Sequence, residues 1–507
     1  MVSFCAPHTT FPCPSPFNLA QYVLAAGQKT PDKTALMILG QSRSQSWTYA
    51  KLTQAVCGIA TGLRGLGLQS GDRVLLRLGN DVDFPLAFLG AIAAGLVPVP
   101  TSSQLTKGEI NLIADDVEPA LVIAGRGLTL PDHPAQVIDT DHLHAFHRLP
   151  PSDFQMGEPN RPAYIVFTSG TSGTPRGVIH AHRAIWARRM MFEGWEGLTK
   201  DDRLLHAGAF NWTYTLGTGL LDPWTLAATA LIPASGIGID RIAVLLNRYN
   251  ASIFAAAPGV YRKLLKSPHL DVAQLRHGLC AGEKLPESLR QKWETATQTP
   301  LFEAFGMSEC STFISGSPAK PAPPNTLGYP QQGRNVAIVN AQGPVPMGQT
   351  GMIAIDRNDP GVMLGYLNAA QDTQNRFQDQ WFLTGDVGSM SQDGAITYHG
   401  RDDDMMNAGG YRVSPIEVES AFNTHPHIQE CAAVELPVRS DASVIGLFYV
   451  SDQALDEADI KAYLQERLAH YKCPRLITPV SSLPRGGNNK LLRRALRQSW
   501  EAENGQT

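Results

Sequence analysis

Short β-branched and apolar runs alternate with helical periodicities through the first half of the chain, and this alternation constrains the fold more than any other feature. Tyr49 to Leu66 repeats apolar residues at helical spacing and stops at Gly67, Arg73-Val-Leu-Leu-Arg-Leu reads as a strand, and Asp83 to Ala94 is helical again. Val97-Pro-Val and Ala120-Leu-Val-Ile-Ala read as short buried strands. The pattern returns with a strand at Leu231-Ile, a helix from Asp240 to Tyr249 and a strand from Ser252 to Ala256. Such alternation predicts an α/β architecture with helices layered on parallel sheet. The segment from Pro131 to Arg161, rich in Pro, Asp and His, reads as a surface connection.

After Gly328 the texture changes to short β runs such as Val336-Ala-Ile-Val and Met352-Ile-Ala-Ile, which predict a β-rich subdomain. Three consecutive acids, Asp402-Asp403-Asp404, follow a strand-like Ile396-Thr-Tyr-His and mark a boundary. Beyond it, helical patterns from Pro415 to Phe422 and from Asp456 to His470 belong to a compact α+β unit, and the tail after Trp500 reads as frayed. The expected organisation is a large N-terminal domain, 1–402, of layered α/β subdomains plus the β-rich one, and a small C-terminal domain, 403–507.

At 507 residues the chain exceeds one ordinary hydrophobic core. The net charge of −4 provides no basic footprint for nucleic acid. Seven scattered cysteines without C-x-x-C spacing fit a reducing compartment and no structural zinc. The N-terminus lacks the basic and apolar regions of a signal peptide. The longest apolar stretch, Phe84 to Pro100, is interrupted by Pro85 and Pro98. A cytoplasmic protein without integral membrane association, monomeric or homodimeric, is the expectation.

Chemistry concentrates first in Tyr164-Ile-Val-Phe-Thr168-Ser169-Gly170-Thr171-Ser172-Gly173-Thr174-Pro175-Arg176-Gly177-Val178. A buried strand empties into a loop of glycines and hydroxyls carrying one fixed cation. Successive backbone N–H groups in such a loop converge on anions, and the guanidinium of Arg176 is a fork suited to phosphate oxygens. The G-x-x-x-x-G-K-[ST] pattern of the common NTPases is absent. Phe305-Gly306-Met307-Ser308-Glu309 then combines an aromatic plane, a glycine for close approach, a hydroxyl and a carboxylate suited to Mg²⁺. Thr384-Gly385-Asp386 places an acid past a strand end, where it suits ribose hydroxyls. Ser414-Pro415-x-Glu417 reads as a helix start.

Taken in order, these segments resemble the adenylate-forming superfamily of acyl-CoA synthetases, luciferases and peptide-synthetase adenylation domains, over about Phe17 to Leu496. The loop resembles its T-S-G-T-T-G-x-P-K-G-V, with Ser172 for a threonine and Arg176 for the lysine. Phe305 to Glu309 resembles Y-G-x-T-E, and Trp381 to Asp386 matches W-x-x-T-G-D. Met406 to Glu419 resembles I-K-x-x-G-x-R-V-x-P-x-E-V-E, with Asn407 for the lysine. Leu279 to Pro286 and Met363 to Asn368 add two further matches, S-G-G-E-x-L-P and M-x-G-Y-x-N.

The resemblance implies an acid activated with ATP and Mg²⁺ to an acyl-adenylate, then passed to coenzyme A, with a mobile C-terminal domain turning about Asp403. It implies that Thr168, Ser169, Gly170, Thr171, Ser172, Gly173 and Arg176 hold the β- and γ-phosphates. By the same resemblance Phe305 and Gly306 lie at the adenine, Ser308 reaches the α-phosphate, Glu309 binds Mg²⁺, and Asp386 and Arg401 bind the ribose. Gly409, Gly410 and Arg412 would serve coenzyme A, with Gly410 as the close wall of a pantetheine tunnel. Lys490, in Leu483-Pro-Arg-Gly-Gly-Asn-Asn-Lys490, stands where the family's P-R-T-x-x-G-K has its catalytic lysine, although the threonine and the glycine before lysine are missing. Arg493, Arg494 and Arg497 read as a solvated helix face.

The acid pocket is implied along His206 to Tyr214, Ala257 to Tyr261 and Cys280 to Gly282, with Phe210, Trp212, Val260, Ala281 and Gly282 as its walls. These stretches look closest to medium-chain and benzoate-type CoA ligases. They carry no acid to pair an amino acid's ammonium, so an aromatic or short- to medium-chain acid is expected. A stand-alone enzyme loading a carrier protein, and a degenerate non-enzymatic relative, are the alternatives.

Overall fold

The computed structural model describes residues 2–4, 12–169, 175–267, 270, 272–408, 411–439, 442–486 and 491–504. The principal sheet has nine strands, in the order Tyr329–Pro330, Ser311–Ser315, Leu301–Met307, His277–Cys280, Ile253–Ala256, Arg203–His206, Thr229–Pro233, Thr34–Leu39 and Gln45–Thr48. The strands from Leu301–Met307 to Thr34–Leu39 are parallel, and the edges are closed by antiparallel additions. Every residue of Thr229–Pro233 and Ile253–Ala256 is buried, as strands covered by helices on both faces must be. The expected strands at Leu231-Ile and Ser252 to Ala256 lie here, and the helix expected from Asp240 to Tyr249 is Ile242–Arg248, led in by a 3₁₀ turn.

A second parallel sheet orders Val97–Pro100, Arg73–Arg77, Leu121–Ala124 and Gln136–Asp139. Its last strand, followed by the helix Thr140–Phe146, corrects the reading of Pro131 to Arg161 as a mere connection. The four-residue strand hides there because only Ile138 is buried and the edge remains polar. The helix Asp83–Ala94 is buried at all its residues and shares one core with Tyr49–Gly65 and the first helix, Leu19–Ala25. Thr48 caps Tyr49–Gly65 by accepting from Lys51 N.

A third sheet joins Gly365–Tyr366, Pro175–Ala181 and Pro162–Ser169. The β-rich subdomain is an antiparallel sheet built around Val336–Asn340, Thr350–Asp356 and Trp381–Met390, with Ile396–Arg401 paired to the last. The chain thus divides into a large N-terminal domain and a smaller C-terminal one. In the latter, Ile428–Arg439 and Ala442–Ser451 pair antiparallel, Leu476–Pro479 adds parallel, and Val413, Val418, Phe422, Leu447 and Ile460 form a separate core. The helix Pro415–Phe422 stands as expected, with Ser414 capping Glu417 N and proline at its first turn.

Three sequence expectations change here. The helix expected from Asp456 to His470 is Glu457–Gln465, because the chain leaves the helix at Glu466 although Leu468 N still bonds Leu464 O at 2.8 Å. The tail continues as a helix, Arg493–Asn504, running through Trp500. Arg493 is not on a solvated face: it makes a bidentate pair with Glu419 at 2.8 Å and lies 3.6 Å from Asp404, while Arg497 does pair Glu501 along the surface. Among the described residues, no helix is long and apolar enough to cross a membrane.

The two domains meet through charges. Arg485 of the C-terminal domain lies 3.5 Å from Glu283 of the large domain and 2.5 Å from Glu430 of its own, and Arg262 reaches Glu430 at 3.4 Å. Lys266 and Gln429 add a contact at 3.4 Å. Arg485→Ala removes the member shared by both sides. The expected cost is on the order of 1 kcal/mol, with faster hydrogen exchange around Glu283 and Glu430 and little change in the core of the large domain. Unchanged exchange at both segments would show that this bridge does not hold the domains in solution.

Candidate active site

A cavity of about 1720 Å³ lies between the domains and is lined from both. The strands Pro162–Ser169 and Pro175–Ala181 pair with Thr168 opposite Arg176, and both residues line the cavity. Gly170, Thr171, Ser172 and Gly173, like the side chain of Ser169, lie outside the described residues. Arg176 pairs with Asp372 at 2.8 Å and lies 5.5 Å from the centre of the Tyr366 ring.

The antiparallel turn from Leu301–Met307 into Ser311–Ser315 presents Phe305, Gly306, Ser308 and Glu309 to the cavity. A Cβ on Gly306 would lie 2.3 Å from the backbone oxygen of Ser311. The close approach that requires glycine is therefore the neighbouring strand. Glu309 is buried, with Tyr366 donating its hydroxyl to Oε1 at 2.7 Å and Arg376 Nη2 lying 3.7 Å from the same oxygen. Arg376 Nε also donates to the Tyr366 oxygen at 3.1 Å. Burial, reinforced by the Glu309 charge, pushes the Tyr366 phenol up to about 12, so it stays a donor.

Asp386 does not follow a strand end. It sits within Trp381–Met390 opposite Arg401, next to a bulge, and the bulge turns its carboxylate toward the cavity. Tyr398 donates to Oδ1 at 3.1 Å and Arg401 Nη1 lies 3.5 Å from Oδ2. The Tyr398 ring leans on Phe305 with centroids 5.7 Å apart, so Phe305, Tyr398, Asp386 and Arg401 make one continuous wall. Arg401 Nε also reaches Asp403 at 3.2 Å.

The apolar end is formed by Trp212, Tyr214, Ala281 and Gly282. The backbone of Gly282 has φ +102°, and a Cβ there would lie 2.6 Å from the Trp212 indole. Only glycine allows both that conformation and that contact. Tyr214 is fixed by a bond from its hydroxyl to Leu279 O at 3.0 Å, with Trp212 edge-on to it at 5.2 Å. Two expected wall residues are not here. Phe210 turns into the core, stacked on Phe84 at 5.2 Å, and Val260 packs against the apolar cluster around Tyr261 and Leu264. The chain turns at this point, with Trp212 N bonded to Ala209 O at 3.0 Å, so residues two apart do not share a face: Trp212 meets the cavity and Phe210 does not.

Lys490, Gly409 and Gly410 lie outside the described residues, as does the side chain of Arg412, whose backbone is in the strand Tyr411–Val413. Sequence reasoning missed Tyr398, Arg376 and the buried Arg188. Tyr398 stood in a segment read only as a strand, although it precedes Arg401 by three residues. Arg376 and Arg188 carry no local signal, because Arg376 reaches the cavity from the turn between Ala370–Gln374 and Phe377–Gln378, and Arg188 from the break between Ala184–Ala187 and Arg189–Met191.

The chain belongs to the AMP-binding enzyme family, whose model matches residues 23–367, and the model of that family's C-terminal domain matches residues 417–490. It is 29% identical to the benzoate–CoA ligase of Thauera aromatica, over 90% of this chain and 91% of the relative. It is 28% identical to the 3-hydroxybenzoate–CoA ligase of Aromatoleum sp. (strain CIB), over 92% of this chain and 93% of the relative. Among solved structures, the anthranilate CoA ligase AuaEII in complex with anthranoyl-AMP superposes with a TM-score of 0.87 at 26% identity, covering 96% of this chain and 98% of that one.

The Tyr366–Glu309 contact is open to a direct check. Tyr366→Phe removes one hydrogen bond to a buried carboxylate and is expected to cost about 1–3 kcal/mol in denaturant unfolding. A cost within about 0.3 kcal/mol of zero would mean that the bond is not made in solution.

Proposed function

We propose that this protein is an ATP-dependent carboxylic acid:CoA ligase acting on an aromatic or short- to medium-chain acid. The observation that carries this reading is convergence: Thr168 and Arg176 from the three-stranded sheet, Asp386 and Arg401 from the antiparallel sheet, and Ser308, Glu309 and the Trp212–Gly282 wall from the connections of the nine-stranded sheet line one cavity. Membership of the AMP-binding enzyme family, and relatives that are benzoate- and hydroxybenzoate–CoA ligases, support it.

In this reading a carboxylate oxygen of the acid attacks the α-phosphorus of ATP and pyrophosphate leaves. The thiolate of coenzyme A then attacks the acyl carbon and AMP leaves. The attacking carboxylate needs no general base, so the residues act by positioning and by offsetting charge. Arg176 and the hydroxyl loop would hold the β- and γ-phosphates, Phe305 the adenine, Ser308 the α-phosphate, and Asp386 with Arg401 the ribose. Asp386 suits that role because its carboxylate is held on one side by Tyr398 and on the other by Arg401 at the cavity wall.

Glu309 fits an Mg²⁺ role in its chemistry. It is a hard-oxygen donor whose described contacts both fall on Oε1, and no cluster of three His, Cys, Asp or Glu is present among the described residues. That set matches an ion held mainly by substrate phosphates. When bound, Mg²⁺ would offset phosphate charge. Lys490 would meet the reacting carboxylate during adenylation, and Gly409, Gly410 and Arg412 would line the path of coenzyme A. Those two groups serve different steps from one small domain, so the domain would turn about Asp403 between them.

Pyrophosphate release over a panel of acids tests the reading. We expect release with benzoates or short to medium aliphatic acids, followed by AMP release that depends on coenzyme A without any carrier protein. Lys490→Ala should lower pyrophosphate release by at least about a hundredfold. A preference for amino acids, AMP release only onto a carrier protein, or no pyrophosphate release with any acid would reject it. Gly282→Ala should raise the KM for the acid about tenfold or more, since the methyl displaces Trp212, while leaving the KM for ATP within about twofold. Equal effects on both KM values would remove Trp212 and Gly282 from the acid pocket.

A further inference from the structure

The cavity has a second polar end that none of these roles uses. Arg188 is buried and lines it, with Nε donating to Asp222 Oδ1 at 2.7 Å and Nη2 to the other carboxylate oxygen and to the Thr218 hydroxyl at 3.0 Å. Its remaining nitrogen, Nη1, donates to Ser311 Oγ. Gly217 makes room for this arrangement, because a Cβ there would lie 2.3 Å from the guanidinium carbon. Asp222 compensates the charge of Arg188, so this end is a donor surface and not an anion site. Burial and the Asp222 carboxylate raise Glu196, buried beside Asp222, well above the ordinary range, which favours its neutral form.

Two hydroxyls complete the surface. Thr312 Oγ1 donates to the thioether of Met191 at 3.1 Å, and Ser311 Oγ reaches the same sulfur at 3.9 Å. A thioether is a weak acceptor, so both donors are poorly used. Ser311 is held at φ +63°, a left-handed conformation that non-glycine residues adopt at a cost, and here it places the hydroxyl on Arg188. Met191 belongs to the same apolar cluster as Tyr214 and Ala281, with Trp212 packed against it. The under-used donors therefore border the apolar wall that would hold the acid.

We propose that Ser311 and Thr312, backed by Arg188, select acids whose apolar part carries a neutral acceptor oxygen, such as a hydroxyl, methoxy or keto group. The inference rests on the ligase reading and adds a specificity to it. Unsubstituted acids leave two partly buried hydroxyls on a thioether. A second carboxylate meets a cation already neutralised, and an aromatic amine supplies no acceptor.

The test compares kcat/KM for pyrophosphate release with benzoate, the three hydroxybenzoates, the three methoxybenzoates, 3-aminobenzoate and isophthalate. Hexanoate against 5-oxohexanoate is the aliphatic pair. The wild-type enzyme should favour the best oxygen-bearing acid over its parent by about tenfold or more. Ser311→Ala and Thr312→Val should each narrow that ratio severalfold, Thr312→Ser should restore it, and Met191→Leu should keep it. Melting temperatures measured alongside separate the ratio from loss of fold. Equal preference for parent and oxygenated acids, a best substrate that is a dicarboxylate or an amine, or variants that lower both rates alike would overturn the inference and leave the ligase reading intact. No release with any acid would overturn both.

Discussion

One buried carboxylate joins three sheets. Glu309 belongs to the turn between two strands of the nine-stranded sheet, Tyr366 to the three-stranded sheet, and Arg376 precedes the strand Phe377–Gln378 of the antiparallel sheet. Tyr366 and Arg376 both address Glu309 Oε1, and Arg376 Nη1 continues to Leu383 O and Thr384 O within Trp381–Met390. The backbone repeats the connection, since Met363 N donates to Glu309 O at 2.7 Å. A buried charge held this way is costly to disturb, because removing one partner leaves the other desolvated. The cavity walls are therefore fixed relative to one another by the same group that is proposed to face the nucleotide.

Much of this was legible in the sequence where local chemistry and periodicity agree. Asp83 to Ala94 was read at its observed bounds because a helix of almost unbroken apolar residues has only one plausible start and stop. Pro415 to Phe422 was legible because serine, proline and glutamate occupy the first turn in capping order. The strand Gln136–Asp139 was not, since an edge strand with one buried residue carries no alternation to read. Motif order pointed to Thr168, Arg176, Phe305, Glu309, Asp386 and Arg401, all of which line the cavity. It failed at Phe210, where aromatic character alone does not tell a core face from a cavity face, and at Arg188, whose meaning depends on Asp222 and Ser311 far along the chain.

Three arginines of the interior are paired with carboxylates. Arg334 is fully buried against Asp359, Arg188 is buried against Asp222, and Arg493 is mostly covered against Glu419. Each ties segments distant in sequence, and each is satisfied by a carboxylate of its own. The cavity consequently holds different kinds of arginine. Arg188 has its charge balanced and offers only residual hydrogen-bonding capacity. Arg176, about a third exposed and held by one partly exposed aspartate, keeps a field that reaches a mobile anion. Two arginines on one cavity can thus serve unlike ends of a substrate pair, a polyphosphate and a neutral oxygen.

The contact between domains is of another kind. Arg485, Glu283, Glu430 and Arg262 are each partly exposed, and their links join charged tips of the two domains. Ion pairs of that type are weak in water and reform with new partners at little net cost. An apolar interface would trap the small domain in one pose, since every separation would expose buried surface. A charged, partly exposed seam gives definite orientation with less of that barrier. If both Lys490 and Gly410 must reach the same substrate, as the ligase reading requires, a seam of this kind is the physical condition that permits it.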